Sequence, residues 1–192
     1  LTTNTLVILT SDNGCSPQAN FDELLPKGHN PNYIFRGNKA DIFDGGHRIP
    51  FIARWPARIK ASSTSDQITC LLDFMATVAD ILGAKLPDNA GEDSVSILPL
   101  LTGTTHGPVH EAVVHQSHSG DLAIRQGRWK LVFLTTGDRE LYDLKDDIGE
   151  TRNVAAANPE VVDRLAKLMQ RFIDTGRSTP GAPQRNEAVI SL

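Results

Sequence analysis

The sequence has little cysteine, little net charge and no long apolar run. Two cysteines, Cys15 and Cys70, are too few for a disulfide framework in 192 residues, and they leave the redox compartment undecided. A net charge of −4 excludes a broad basic face, so nucleic acid is not an expected partner. No apolar stretch approaches the ~20 residues that a membrane helix needs, so no membrane span is expected. No basic segment followed by an apolar one reads as a signal peptide. Internal repeats and low-complexity segments are absent too. What is present, 40% hydrophobic and 22% charged residues, is the composition of a globular protein with a real core.

Thr5–Thr10 is a short, almost wholly apolar run that ends in the turn cluster Ser11-Asp12-Asn13-Gly14. It predicts a strand buried on both faces, as in parallel α/β sheets. The stretch 11–50 has little periodicity and much glycine, proline and asparagine; irregular chain of that length in a compact protein is usually functional. A second strand is predicted at Phe51–Trp55. Ile68, Leu71, Leu72, Met75, Val78, Ala79 and Leu82 recur at helical spacing and predict a helix over 66–82, capped by Ser65 and ended by Gly83. A short helix near 93–101 is limited by Pro99.

The pattern then changes. Short strands are predicted at 111–116, 122–126, 129–134 and 140–144, with Gln126-Gly127-Arg128 at a tight hairpin connection. A last helix over 159–175 has Asn158 as its cap and Pro159 at its first position. Val162, Leu165, Leu168, Met169 and Phe172 give it an apolar face. The fold class is therefore α/β. Residues 1–108 supply part of an α/β sheet layer, and residues 109–192 form a small antiparallel sheet with a packed C-terminal helix. The first part has too few strands for a parallel sheet covered on both faces, and the expectation is that preceding strands are missing. A small α+β domain with an unusual edge is the alternative.

Three segments carry possible chemistry. Asp12 and Asn13 follow the carboxyl end of the first strand, where open α/β sheets bind ligands. A carboxylate beside an amide oxygen offers two hard donors, suited to calcium or magnesium. On these residues alone a plain Asx turn fits at least as well. Calcium takes about 6–8 oxygens, so further ligands must come from elsewhere. Arg36-Gly37-Asn38-Lys39 sets two cations around a glycine, able to meet sulfate or phosphate oxygens, although a solvated charged loop is the better account of the tetrapeptide taken alone. In Asp44-Gly45-Gly46-His47-Arg48-Ile49-Pro50 the glycines permit close backbone approach, and a structural turn is their simplest role.

Taken in order, these segments resemble the type I sulfatases, arylsulfatase-like enzymes of the alkaline phosphatase superfamily. The resemblance continues through Trp55-Pro56, the helix Asp73–Gly83, Pro87, Gly91, Ser96–Gly103, Arg125–Val132 and Glu140–Leu144, with Glu150 and Asn153 behind them. It spans residues 5–181. It implies the end of a sulfatase-type α/β/α sandwich followed by the small C-terminal sheet and helix. It implies that Asp12 and Asn13 bind a divalent cation, most often Ca2+ with Mg2+ as the second choice. Lys39 is then the catalytic residue that contacts the sulfate.

The nucleophile implied by the resemblance is a formylglycine, made from the cysteine of Cys-x-Pro-x-Arg in the N-terminal half, where two more acidic ligands lie. This chain has none of that half. Cys15-Ser16-Pro17-Gln18-Ala19 imitates the motif but has Ala19 in place of its arginine and follows the metal pair directly. His115 and His118 open the second part, where loops of similar enzymes touch the leaving group; an exposed or structural role fits them equally. Tyr142 and Trp129 are expected in the core of the small sheet. The implied partners are a sulfated small molecule or glycan and the missing N-terminal half, and the implied location is the periplasm or cell exterior. A phosphoesterase of the same superfamily and a non-catalytic binding module remain the alternatives.

Overall fold

A computed structural model describes residues 2–192. In chain order the elements are β1 (Val7–Thr10), α1 (Phe21–Leu24), α2 (Asp44–His47), β2 (Phe51–Arg54), α3 (Asp73–Leu82), α4 (Leu98–Thr102), β3 (Val113–Gln116), β4 (Leu122–Gln126), β5 (Trp129–Phe133), β6 (Arg139–Asp143) and α5 (Pro159–Thr175). They belong to two compact units that alternate along the chain. One runs through Leu9, Ile52–Val113 and Gln170–Ser191, and the other comprises Thr10–Phe51 and Val114–Met169. The expectation from composition is a single division near residue 108.

In the first unit β1 pairs with β2. The expected burial on both faces of β1 is not met: Val7 is 51% and Leu9 61% exposed. The reason is that β2 is the only partner β1 has among the described residues, so no neighbouring layer covers its side chains. α3 also starts later than the periodicity over 66–82 predicts. The Asp73 carboxylate accepts the backbone N–H groups of Cys70 at 2.8 Å and Val95 at 3.1 Å, which holds the preceding residues in turns. Ser65 accepts from Gln67 N–H in an isolated turn and caps nothing. Gly83 ends α3 as expected, in the left-handed region at φ 65°.

The second unit holds a four-stranded sheet of order β3-β4-β5-β6. β4 pairs with β5 antiparallel, Gln126 opposite Trp129, and Gly127 takes the positive φ of 57° that this tight turn demands. β5 pairs with β6, Lys130 opposite Tyr142. Strand alternation then sorts the faces. Ile124, Leu131 and Leu141, all fully buried, share one face. Ala123, Arg125, Lys130, Val132 and Tyr142 share the other, where Ile42 joins their apolar cluster and Phe43 packs against it. So the irregular chain before β2 is seated on the sheet by its own hydrophobic residues.

α5 buries Leu165, Leu168, Met169 and Phe172, four of the five residues expected on its apolar face, and its Arg164 bonds Gln126 of β4. Leu141→Ala leaves a void in the buried face of the sheet and is expected to cost about 2–5 kcal/mol. Urea unfolding of the two proteins measures this, and a change under about 1 kcal/mol would show that Leu141 is not a core residue.

Candidate functional site

The site is built on three backbone segments too close together for most side chains. Gly14 N–H donates to Gly46 O at 2.9 Å, Gly45 N–H to Arg36 O at 2.7 Å and Lys39 N–H to Cys15 O at 2.9 Å. A Cβ on Gly14 would overlap the Gly45 carbonyl oxygen, and one on Gly45 would overlap the carbonyl oxygens of Gly37 and Arg36. Glycine is required here for close approach, as the turn reading of the sequence expected. Buried Asn32 completes the junction. Its amide donates to Gly37 O and to Asn38 Oδ1, both at 2.7 Å, while its oxygen accepts Cys15 N–H at 3.1 Å. Asn32 was not singled out in the sequence, because an asparagine in a loop of turns carries no signal of burial.

This junction brings the sequence-predicted residues together. Asp12, Asn13, Lys39, His47, His115 and His118 line one cavity of about 410 Å3. Asp12 is exposed, and its one side-chain hydrogen bond among the described residues comes from Ser11 Oγ at 3.4 Å. Asn13 commits its amide nitrogen to Gly14 O at 3.0 Å, which leaves its side-chain oxygen as the acceptor of that amide. The donor set fits the start of a hard-cation site: one carboxylate and one amide oxygen on adjacent residues. Beside Lys39, Ala40 holds φ at 85°, a costly conformation for a residue with a Cβ, and its carbonyl accepts His118 N–H at 2.9 Å. His115 and His47 pack ring against ring, centroids 4.0 Å apart and tilted by 37°. Burial, then the charges of His47 and Lys130, push His115 well below the usual histidine range.

Beneath these rings lies a buried ion cluster that the sequence did not reveal. The Lys130 side chain on β5 is fully buried; its Nζ meets Asp44 Oδ1 at 2.9 Å and Glu150 Oε1 at 2.7 Å, and it stands 3.4 Å from His47 Nε2. Glu150 Oε2 accepts Asp44 N–H at 2.6 Å, an otherwise unsatisfied donor at the start of α2. Burial would raise the Asp44 carboxyl, but hydrogen bonding to His47 and the charges of Lys130 and Arg125 hold it well below the carboxylate range. Glu150 goes the other way. Its burial, aided by Asp44 and opposed by Lys130, leaves its carboxyl raised. A lysine amid Trp129, Leu131, Val132 and Phe133 was the one available hint.

One other group of metal-ligand type occurs among the described residues, Cys70, Asp73 and His110. It is closed by hydrogen bonds: His110 Nε2 lies 2.9 and 2.8 Å from the two Asp73 oxygens, each of which also accepts a backbone N–H. Burial and the neighbouring Asp73 charge push the Cys70 thiol up to about 12.

Over residues 37–177 the chain matches the family described as N-sulphoglucosamine sulphohydrolase, C-terminal. It is 36% identical over 188 residues to the N-acetylgalactosamine-6-O-sulfatase of Bacteroides thetaiotaomicron, covering 88% of this chain and 36% of that protein. Human arylsulfatase A is 31% identical over 194 residues, covering 85% of this chain and 37% of that protein. A solved structure from work on the metabolism of multiple glycosaminoglycans by Bacteroides thetaiotaomicron has a TM-score of 0.79 at 33% identity, over 89% of this chain and 39% of that one. Ps i-CgsB in complex with k-i-k-neocarrahexaose has a TM-score of 0.75 at 26% identity, over 89% of this chain and 37% of that one. The chain thus spans little more than a third of the length of the relatives it matches.

Proposed function

We propose a function on one premise: the chain belongs to the type I sulfatase family and matches its C-terminal portion. The family works with a divalent cation and a formylglycine. The complete enzyme that carries this chain hydrolyses sulfate esters, and this chain supplies part of the metal and sulfate site. The division at residue 108 marks the passage from its catalytic α/β domain to the small C-terminal subdomain.

Asp12 and Asn13 are the metal ligands supplied here, and the metal is Ca2+, with Mg2+ as the second choice. When bound, the cation offsets charge on the sulfate oxygens, and the formylglycine of the remaining half is the nucleophile. Lys39 is the catalytic residue of this chain. Its mobile ammonium sits against one sulfate oxygen and stabilises negative charge through the reaction. His115, on the wall of the cavity, touches the leaving group as an uncharged ring able to accept or donate a hydrogen bond. The observation that carries this reading is the convergence of Asp12, Asn13, Lys39 and His115 on one cavity in a chain of this family.

The substrate is a sulfated small molecule or glycan. One relative is named N-acetylgalactosamine-6-O-sulfatase and another was solved with a neocarrahexaose, which supports a sugar leaving group, while relatives of similar identity named steryl-sulfatase and arylsulfatase A keep steroid and aryl esters as the other candidates. The periplasm or cell exterior is the place where such a substrate is met. No helix among the described residues is long and apolar enough to cross a membrane.

The test is sulfate release from an aryl sulfate and from sulfated glycans, by the complete enzyme and by residues 1–192 alone. The complete enzyme is expected to turn over sulfate esters and to stop when EDTA removes the metal. The 192-residue chain, without a formylglycine segment in its sequence, is expected to release none. Faster release from the matching phosphate ester would replace the sulfatase with the phosphoesterase. Turnover by the 192-residue chain would remove the need for the formylglycine.

A further inference from the structure

Full burial of a lysine beside two carboxylates is expensive, because each ion gives up its hydration. Hydrophobic residues of similar volume often serve stability as well or better, so the cluster of Lys130, Asp44 and Glu150 calls for a role beyond stability. Its bonds show one. Both carboxylates act on the turn 44–48: Asp44 begins it, and Glu150 accepts its first N–H. Glu150 reaches that position from a left-handed backbone, φ 52°, which a side chain normally avoids. The turn in turn is bonded to the segment that bears the Asp12–Asn13 pair through Gly14 N–H to Gly46 O, and to the segment that bears Lys39 through Gly45 N–H to Arg36 O. The same ammonium stands 3.4 Å from His47 Nε2, and His47 packs against the ring of His115 in the cavity wall.

We propose that Lys130 is a positioning residue for this cavity: its buried ammonium, tied to Asp44 and Glu150 and set against His47, fixes the turn on which the Asp12–Asn13 pair, Lys39 and the His47–His115 wall depend. The inference rests on the reading of the cavity as the sulfate site. Lys130 touches no substrate; it acts through the turn and the imidazole. A supporting group whose loss loosens ligands by a fraction of an ångström commonly costs about 10–100-fold in affinity or activity.

The test uses the complete enzyme as wild type, as Lys130→Met, and as the triple variant Asp44→Asn, Lys130→Met, Glu150→Gln. Lys130→Met strands two buried carboxylates and is expected to fold poorly. The triple variant removes these three charges at nearly constant volume; the glutamine introduced at position 150 keeps an oxygen to accept the backbone N–H at position 44, and the asparagine introduced at position 44 keeps one for the guanidiniums of Arg48 and Arg125, which lie 3.3 and 3.6 Å from Asp44 Oδ2. Its melting temperature is expected near that of the wild type, with affinity for inorganic sulfate weakened about tenfold and kcat lowered about 10–100-fold. Leu141→Ala is the control: it weakens the same sheet from its other face, lowers the melting temperature and leaves sulfate affinity unchanged. A triple variant with wild-type sulfate affinity and kcat overturns the proposal. So does one that fails to fold, because the cluster would then serve the fold and not the site. A wild type that binds sulfate but hydrolyses no sulfate ester overturns the reaction assigned to the cavity, while the sulfate affinities still decide the role of Lys130.

Discussion

Asp12→Ala in the complete enzyme is expected to lower kcat/KM by roughly a thousandfold, equivalent to about 4 kcal/mol of lost transition-state stabilisation. The fold has little stake in this residue. Asp12 is exposed and accepts one long hydrogen bond, from Ser11 Oγ at 3.4 Å, and surface changes of that kind usually stay within about 0.5 kcal/mol. The loss therefore belongs to the metal. A cation that binds only the folded state raises the melting temperature by mass action, and that rise should disappear in Asp12→Ala while the metal-free melting temperature stays put. Asn13→Ala is expected to act in the same direction with a smaller effect, because in the proposed site it removes a neutral ligand and no charge. Activity titrated with calcium, alongside melting curves with and without it, separates the cases. An Asp12→Ala enzyme that keeps both its turnover and its calcium-dependent melting shift would end the assignment of Asp12 as a ligand.

Local chemistry made much of this structure legible. The hairpin β4–β5 was readable because Gly127 marks a turn that needs positive φ and the flanking residues favour strand. The last helix was readable at both ends, 159–175, because Pro159 suits a first helical position and the apolar spacing runs unbroken to Phe172. α3 was misread at its start because Ile68, Leu71 and Leu72 continue its period by coincidence, whereas the Asp73 side chain binds backbone N–H groups on either side. Periodicity alone does not register such a tertiary bond. Strand β1 was identified correctly but not its surroundings, since a strand's own residues specify a buried environment without supplying it.

The cavity divides the same way. Asp12, Asn13 and Lys39 lie in short motifs whose order is readable, and Gly45 and Gly46 announce close packing. The ion cluster is different in kind. Lys130 meets Asp44 across 86 positions, and Asp44 N–H meets Glu150 across 106. No local pattern encodes such a pair, and each of the three residues by itself resembles an ordinary surface charge. Asn32 was hidden for the same reason, since its worth lies in the three groups it bonds and not in its neighbours in the chain.

Lys39→Met is the second large effect expected, a fall of about a hundred- to a thousandfold in kcat, comparable to the loss of one preorganised donor in an oxyanion hole. Lys39 is exposed, and what it gives the fold is its backbone N–H, donated to Cys15 O at 2.9 Å, which methionine keeps. Methionine also preserves the length of the stem, so the change isolates the ammonium. If that ammonium stabilises charge that grows on the sulfate oxygens during reaction, kcat falls more than KM rises; a residue that only captured the ground-state sulfate would raise KM and leave kcat alone. Lys39→Arg should recover part of kcat, since the charge remains, but not all of it, because the planar guanidinium does not reproduce the reach of a point charge. Steady-state kinetics of the three enzymes on one sulfate ester decide the matter. Wild-type kcat in Lys39→Met would remove Lys39 from the chemistry.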